Sequence, residues 1–246
     1  MIRSVMIFAI FALSCWSSGV AASEDSLLSI TTDSAFINSL APELKVASAL
    51  TLMSFLPVAL IAMTAFTRII IVLSMLRHAL GLQQTPPNMV ILTLSLFLTF
   101  YTMLPVWEKV EGEALKPFIA EEIELSTAIE KGSVYVKQFM ISQTREDDFE
   151  AVLNMANAQV PKDVNSVSMA YLVPAFLLSE LTTAFKIAFV IFIPFLLVDL
   201  VVASVLMSLG MIMLPPISIA LPIKVMLFVL IDGWALVSQS LVSSFT

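Results

Sequence analysis

The sequence predicts an all-α membrane protein built of apolar helical hairpins with broken helices and an extramembrane helical insert. Three observations predict it. Of 246 residues, 59% are hydrophobic and only 13% charged, with a mean hydropathy of +0.98; a soluble domain is about half apolar and about a quarter charged. The apolar residues gather in long runs, interrupted by prolines at positions 57, 174, 194, 215, 216 and 222. Residues 108–168, by contrast, hold 12 acidic and six basic side chains, 18 of the chain's 31 charges.

Residues 1–22 have the three parts of a secretory signal peptide: Arg3, an apolar run over 5–16, and small residues up to Ala22. That run is shorter than the ~20 residues a spanning helix needs, so cleavage before Ser23 is expected. Cys15, the only cysteine, lies inside this segment, which excludes a disulfide framework and a cysteine zinc site. The motif around it resembles a lipoprotein acceptor only faintly.

Residues 23–107 comprise a polar N-terminal segment and the first two hydrophobic segments, 46–75 and 89–107. Arg68 interrupts the first, and Trp107 closes the second as an interfacial anchor. Arg77 and His78 make the connection between them the positive one, hence cytoplasmic. Residues 108–168 then form an acidic, periplasmic, helical insert. Within it, Phe149, Val152, Leu153 and Ala156 recur at helical spacing after an Asp147-Asp148 start signal.

Residues 169–246 form a C-terminal helical hairpin, with apolar segments at 170–209 and 217–242. Four spans and a signal peptide place both mature termini outside. Proline-broken backbone at membrane depth must be buried in protein or face a cavity, as in pore and transporter cores.

Arg68, Glu180, Lys186, Asp199, Lys224 and Asp232 lie in or beside apolar segments. Each costs roughly 2.5–3.5 kcal/mol at mid-bilayer, so partners or a water-filled cavity are expected. None has an opposite charge three or four residues away, so partners must come from other helices or subunits. Lys186 and Asp232 suit snorkelling at helix ends; Asp199 and Lys224 do not. The turn at 210–216 lies midway between Asp199 and Lys224, which puts both at similar depth in a hairpin and favours a mutual or intersubunit ion pair.

That turn, Gly210-Met211-Ile212-Met213-Leu214-Pro215-Pro216, is apolar where a connection is usually polar. Methionine is flexible and polarizable, and an apolar constriction can gate by dewetting. The same residues also suit a simple buried hairpin turn. The formal charge of −7 and the lack of a basic run exclude nucleic acid as a partner. One histidine and no HExxH, GxSxG or phosphate-binding glycine loop argue against an enzyme, and no cofactor or metal is expected.

Three stretches carry a family resemblance. They run from Phe66-Thr67-Arg68 through Gln84-Thr85-Pro86-Pro87-Asn88, from Pro174-Ala175-Phe176 through Glu180 to Ala184-Phe185, and from Pro222-Ile223-Lys224 to Asp232-Gly233-Trp234. With the methionine turn they cover most of the mature chain, and the sequence resembles the FliP/YscR/SpaP family of type III secretion export-gate proteins. The signal peptide and the insert point to its flagellar branch. The resemblance implies a homopentamer assembled with FliQ and FliR into a helical export channel, conical and largely risen out of the bilayer plane. FlhB is implied on its cytoplasmic side, and exported flagellar proteins as its passengers. It maps a methionine-rich gasket onto Met211 and Met213, with Ile212 where a third methionine often stands, and it matches Glu180 to a position linked to export. A pore subunit in the bacterial inner membrane, at the flagellar basal body and in contact with lipid, is the expected function. An ion-coupled small-solute transporter is the alternative, motivated by the buried charges, although no inverted repeat supports it; a non-conducting assembly scaffold fits the same motifs.

Overall fold

The computed structural model describes residues 61–158, 167–211 and 213–245, with isolated positions between 50 and 58. The signal segment, the polar segment after it and most of the apolar run before residue 61 lie outside the described residues, as does Ile212. Residues 57–246 form one compact unit. Among the described residues every regular element is helical, as the apolar runs require: lipid offers backbone groups no partner, and a helix satisfies its own.

Helix α1 (Phe66–Ala79) is the centre of the unit. Ile69, Val72, Leu73 and Leu76 are fully buried, so the described part of the first apolar segment is core rather than a lipid-facing span. The helix ends with Gly81 at φ +79°. The Gly81 amide donates to the His78 carbonyl and the Leu82 amide to the Arg77 carbonyl, which satisfies two last-turn carbonyls.

After a connection with a cis Thr85–Pro86 bond, α2 (Asn88–Val110) runs on through a π-helical turn (Glu111–Leu115) into α3 (Lys116–Ile119). The expected boundary at residue 108 therefore falls inside a helix: the change from apolar to charged side chains alters what the helix faces, not its backbone. The insert continues as α4 (Leu125–Gln143) and α5 (Glu146–Met155). Glu146, Asp147 and Asp148 occupy the first turn of α5, where the helix dipole favours them. Phe149, Val152 and Leu153 face inward as their spacing predicts; Ala156 is the exposed C-cap.

Helix α6 (Met169–Ser208) opens on Ser168, whose hydroxyl accepts the Ala170 amide at 3.3 Å. It runs unbroken for 40 residues through Pro174 and Pro194, where the prolines mark a bend or a break. Each proline removes one hydrogen bond, and in apolar surroundings every other backbone pair still favours the helix. The last segment does break, but at Asp232 rather than Pro222. Helix α7 (Pro216–Leu230) meets α8 (Gly233–Ser243) at a 65° bend.

The packing fixes the course of the chain. Ala65, Ile69 and Leu73 of the α1 region share a core with Ala184 of α6, Ile91 and Leu98 of α2 and Leu241 of α8. Leu76, Ala79 and Leu80 share another with Phe195 of α6 and Phe228 of α7. Helices α1 and α6 are thus parallel, and α7–α8 returns antiparallel to both. By length and composition, two helices can cross a membrane (Asn88–Ile119 and Met169–Ser208), or three spans result if the bent pair is one. The four predicted apolar segments become two or three among the described residues because the first begins outside them and its described part is a short, buried helix.

Candidate functional site

Arg68 and Glu180 form the first centre. Arg68 is buried because α1 is, and Glu180 because it lies on the inner face of α6. The Arg68 Nε donates to Glu180 Oε2 at 2.9 Å and Nη2 to Oε1 at 2.5 Å. The remaining donors are also placed: Nη1 reaches the carbonyl and hydroxyl of Ser244 at 3.0 and 3.1 Å, and Nη2 the Gln143 amide oxygen at 3.1 Å. The Phe245 ring covers the guanidinium, 3.7 Å from its carbon, and Gln143 Nε2 donates to the Phe245 carbonyl at 3.2 Å. One planar fork therefore ties α1 to α6, to the end of α4 and to the C-terminal turn. A lysine has neither the five donors nor the plane for this.

A second polar contact docks the insert beside the first. The Arg145 amide donates to the Ser179 hydroxyl at 3.0 Å, and that hydroxyl donates to Asp148 Oδ2 at 2.7 Å. Further out, the Tyr135 hydroxyl donates to Glu113. This bond and the carboxylate's charge hold the phenol above its ordinary pKa.

Lys224 and Asp199 form the third contact. The ammonium lies 2.6 Å from Asp199 Oδ2 and 3.3 Å from the Ala79 carbonyl. Lys224 is 5% exposed, while Asp199 keeps 40% of its side chain open. The cation caps an orphan carbonyl at the C-terminus of α1 while binding α7 to α6. Ala220 packs on Val202 and Leu206 beyond it, toward the turn.

The methionine turn is the far end of that hairpin. Gly210 at φ +74° ends α6: its amide donates to the Met207 carbonyl and the Met211 amide to the Leu206 carbonyl. The backbone is thus anchored while the side chains project. Met213 is 98% exposed and Met211 40%, next to exposed Leu209, Leu214 and Ile217. Ile212, expected beside them, lies outside the described residues.

At the opposite end of α7, Asp232 adopts φ +51°, a conformation that costs a non-glycine residue ~1 kcal/mol. Gly233 follows with no room for a side chain: a Cβ there would fall 2.2 Å from the Phe228 ring. Trp234 packs edge-on against that ring at 5.3 Å between centroids. Pro222 sits inside α7 without breaking it.

The structure therefore joins the four singled-out buried charges into two pairs. Arg68–Glu180 is separated by 112 positions, and no local signal linked them. Gln143, Ser244 and Phe245 carry no sequence signal at all. Of the two charges that suit snorkelling at helix ends, Asp232 is at one, as the N-cap of α8, whereas Lys186 lies well inside α6.

The FliP family matches residues 49–241. The chain is 55% identical over 196 residues to the flagellar biosynthetic protein FliP of Pectobacterium carotovorum subsp. carotovorum, covering 80% of this chain and 76% of that protein. It is 50% identical over 200 residues to the protein of the same name from Aquifex aeolicus, covering 80% and 83%. It is 50% identical over 196 residues to that of Bacillus subtilis, covering 80% and 89%.

Proposed function

Because this chain belongs to the FliP family, we propose that it is the pore-forming subunit of the flagellar type III protein export gate. In this reading it sits in the bacterial inner membrane at the flagellar basal body. Five copies assemble with FliQ and FliR, FlhB joins from the cytoplasmic side, and unfolded flagellar proteins pass through. No covalent step is required of the chain.

The observation that supports this reading most is the apolar tip of the α6–α7 hairpin. A methionine exposed to 98% at the end of an anchored turn is costly in water and gains nothing from its own chain. Repeated around an axis, Met211, Ile212 and Met213 would meet one another. Their flexible side chains would close the ring against water and ions and yield to a passing polypeptide. The Lys224–Asp199 pair and the Arg68 cluster would hold each hairpin in place behind that seal. The small-solute transporter alternative drew on Arg68, Glu180, Asp199 and Lys224. Each is neutralised within the chain, which suits a structural role better than ion coupling.

The test is complementation of a strain lacking its own copy. Expression of this chain should restore motility and the release of flagellar subunits into the medium. Stable membrane insertion with neither restored would overturn the proposal.

A further inference from the structure

Two charges in the C-terminal hairpin, Lys186 and Asp232, have no partner of opposite sign among the described residues. Lys186 points away from the unit, on the side of α6 opposite Ala184, Ala188 and Phe195. Val190, Ile193 and Leu197 continue the same outer stripe at helical spacing, and all are exposed.

Asp232 is presented just as openly. Its side chain caps nothing in α8, and Val229, Leu230 and Ile231 beside it are each more than half exposed. The Phe228–Gly233–Trp234 contact fixes the bend that carries it. Asp232 lies between Phe228, which packs on Phe195, and Val237, which packs on the same buried cluster as Ile191 and Phe192 do. It is therefore level with the stretch of α6 just beyond Lys186.

Two isolated charges of opposite sign thus occupy neighbouring levels of one chain, each set in exposed apolar surface where an unpaired charge is costly. We infer that Lys186 of one copy pairs with Asp232 of the next, so that the outer stripe of α6 and the α7–α8 bend are the two halves of one head-to-tail contact. Such a contact uses different patches on the two partners and closes into a ring when its rotation allows. Apolar side chains around each charge would exclude water from the pair. The inference rests on the oligomer proposed above and adds the residues that set its register. Helix α6 is roughly 60 Å long, about twice the hydrocarbon thickness, so a lipid phosphate is the competing partner for Lys186.

The test uses the full chain in membranes, with Cys15→Ser. Lys186→Cys combined with Asp232→Cys should give, with a short thiol–thiol crosslinker, a ladder of covalent dimers and higher multimers. Neither single cysteine should. Separately, K186E and D232K should each lower the oligomer recovered in mild detergent at least severalfold, and the double exchange K186E/D232K should restore it. Overturning results are a crosslink only within one chain, no ladder although the unaltered chain still forms an oligomer, or a normal oligomer from K186E, as a lipid-facing lysine would give. If the unaltered chain forms no oligomer at all, the proposed ring fails and the pair with it; the other outcomes remove the pair and leave the ring.

Discussion

The Arg68 guanidinium and the Glu180 carboxylate meet through two hydrogen bonds, with the residues 2% and 0% exposed. Removing one partner leaves the other charge buried and unpaired, at a cost of roughly 3–5 kcal/mol, whereas replacing both by apolar residues is often close to neutral. Arg68→Met and Glu180→Met should each sharply reduce folded protein in membranes. The double variant should recover part of the loss, limited by the abandoned contacts at Gln143 and Ser244. Levels in the double variant equal to the product of the two single losses would show the pair is not coupled.

Lys224 and Asp199 are a weaker pair because the Asp199 side chain is 40% exposed and therefore screened. Asp199→Ala, which leaves the buried Lys224 ammonium with only the Ala79 carbonyl, should cost about 1–3 kcal/mol, more than Lys224→Ala, which leaves a carboxylate that water reaches. Exchanging the two residues should restore part of the assembly lost in either single variant. The readout is the yield of assembled complex, and strictly additive defects would count against the pairing.

Ser179 docks the insert through Asp148 and the Arg145 amide. Ser179→Ala should leave both groups poorly satisfied and loosen α5 by about 1–2 kcal/mol. Limited proteolysis should then cut faster within residues 144–158 while α6 stays protected. Unchanged cleavage would show that the apolar contacts of Val152 and Leu153 hold α5 alone.

Gly233→Ala drives a methyl group into the Phe228 ring, 2.2 Å from its nearest atom. Overpacking of this kind costs roughly 1–3 kcal/mol. Phe228→Leu should relieve part of it by making room, at the expense of the Trp234 contact. Thermal inactivation of the membrane protein should therefore rank the unaltered chain first, the double variant next and Gly233→Ala last.

Met211, Ile212 and Met213 replaced together by alanine should open the proposed seal. The removed apolar volume is multiplied around the ring, and a wider constriction admits water and ions. The measurements are inner-membrane permeability to small ions and the amount of assembled complex, taken from the same cells. Normal assembly with no rise in permeability would refute the seal.

The membrane class, the helical insert and the positions of costly charges were legible in the sequence because each rests on local pattern. Hydropathy marks the apolar runs. Asp147 and Asp148 ahead of inward-facing Phe149, Val152 and Leu153 mark α5. Even the Asp199–Lys224 contact was within reach, since a hairpin pairs residues that are symmetric about its turn.

Other features were decided only by the tertiary structure. Proline marks a bend or a break, and α6 passes Pro174 and Pro194 as one continuous helix, because one lost hydrogen bond is small beside those retained in apolar surroundings. The chain bends instead at Asp232, where Phe228 and Trp234 pack around a glycine too confined for a side chain. Arg68 found Glu180 because α1 and α6 lie parallel. That register is set by the buried faces of both helices together, and no window of sequence contains it.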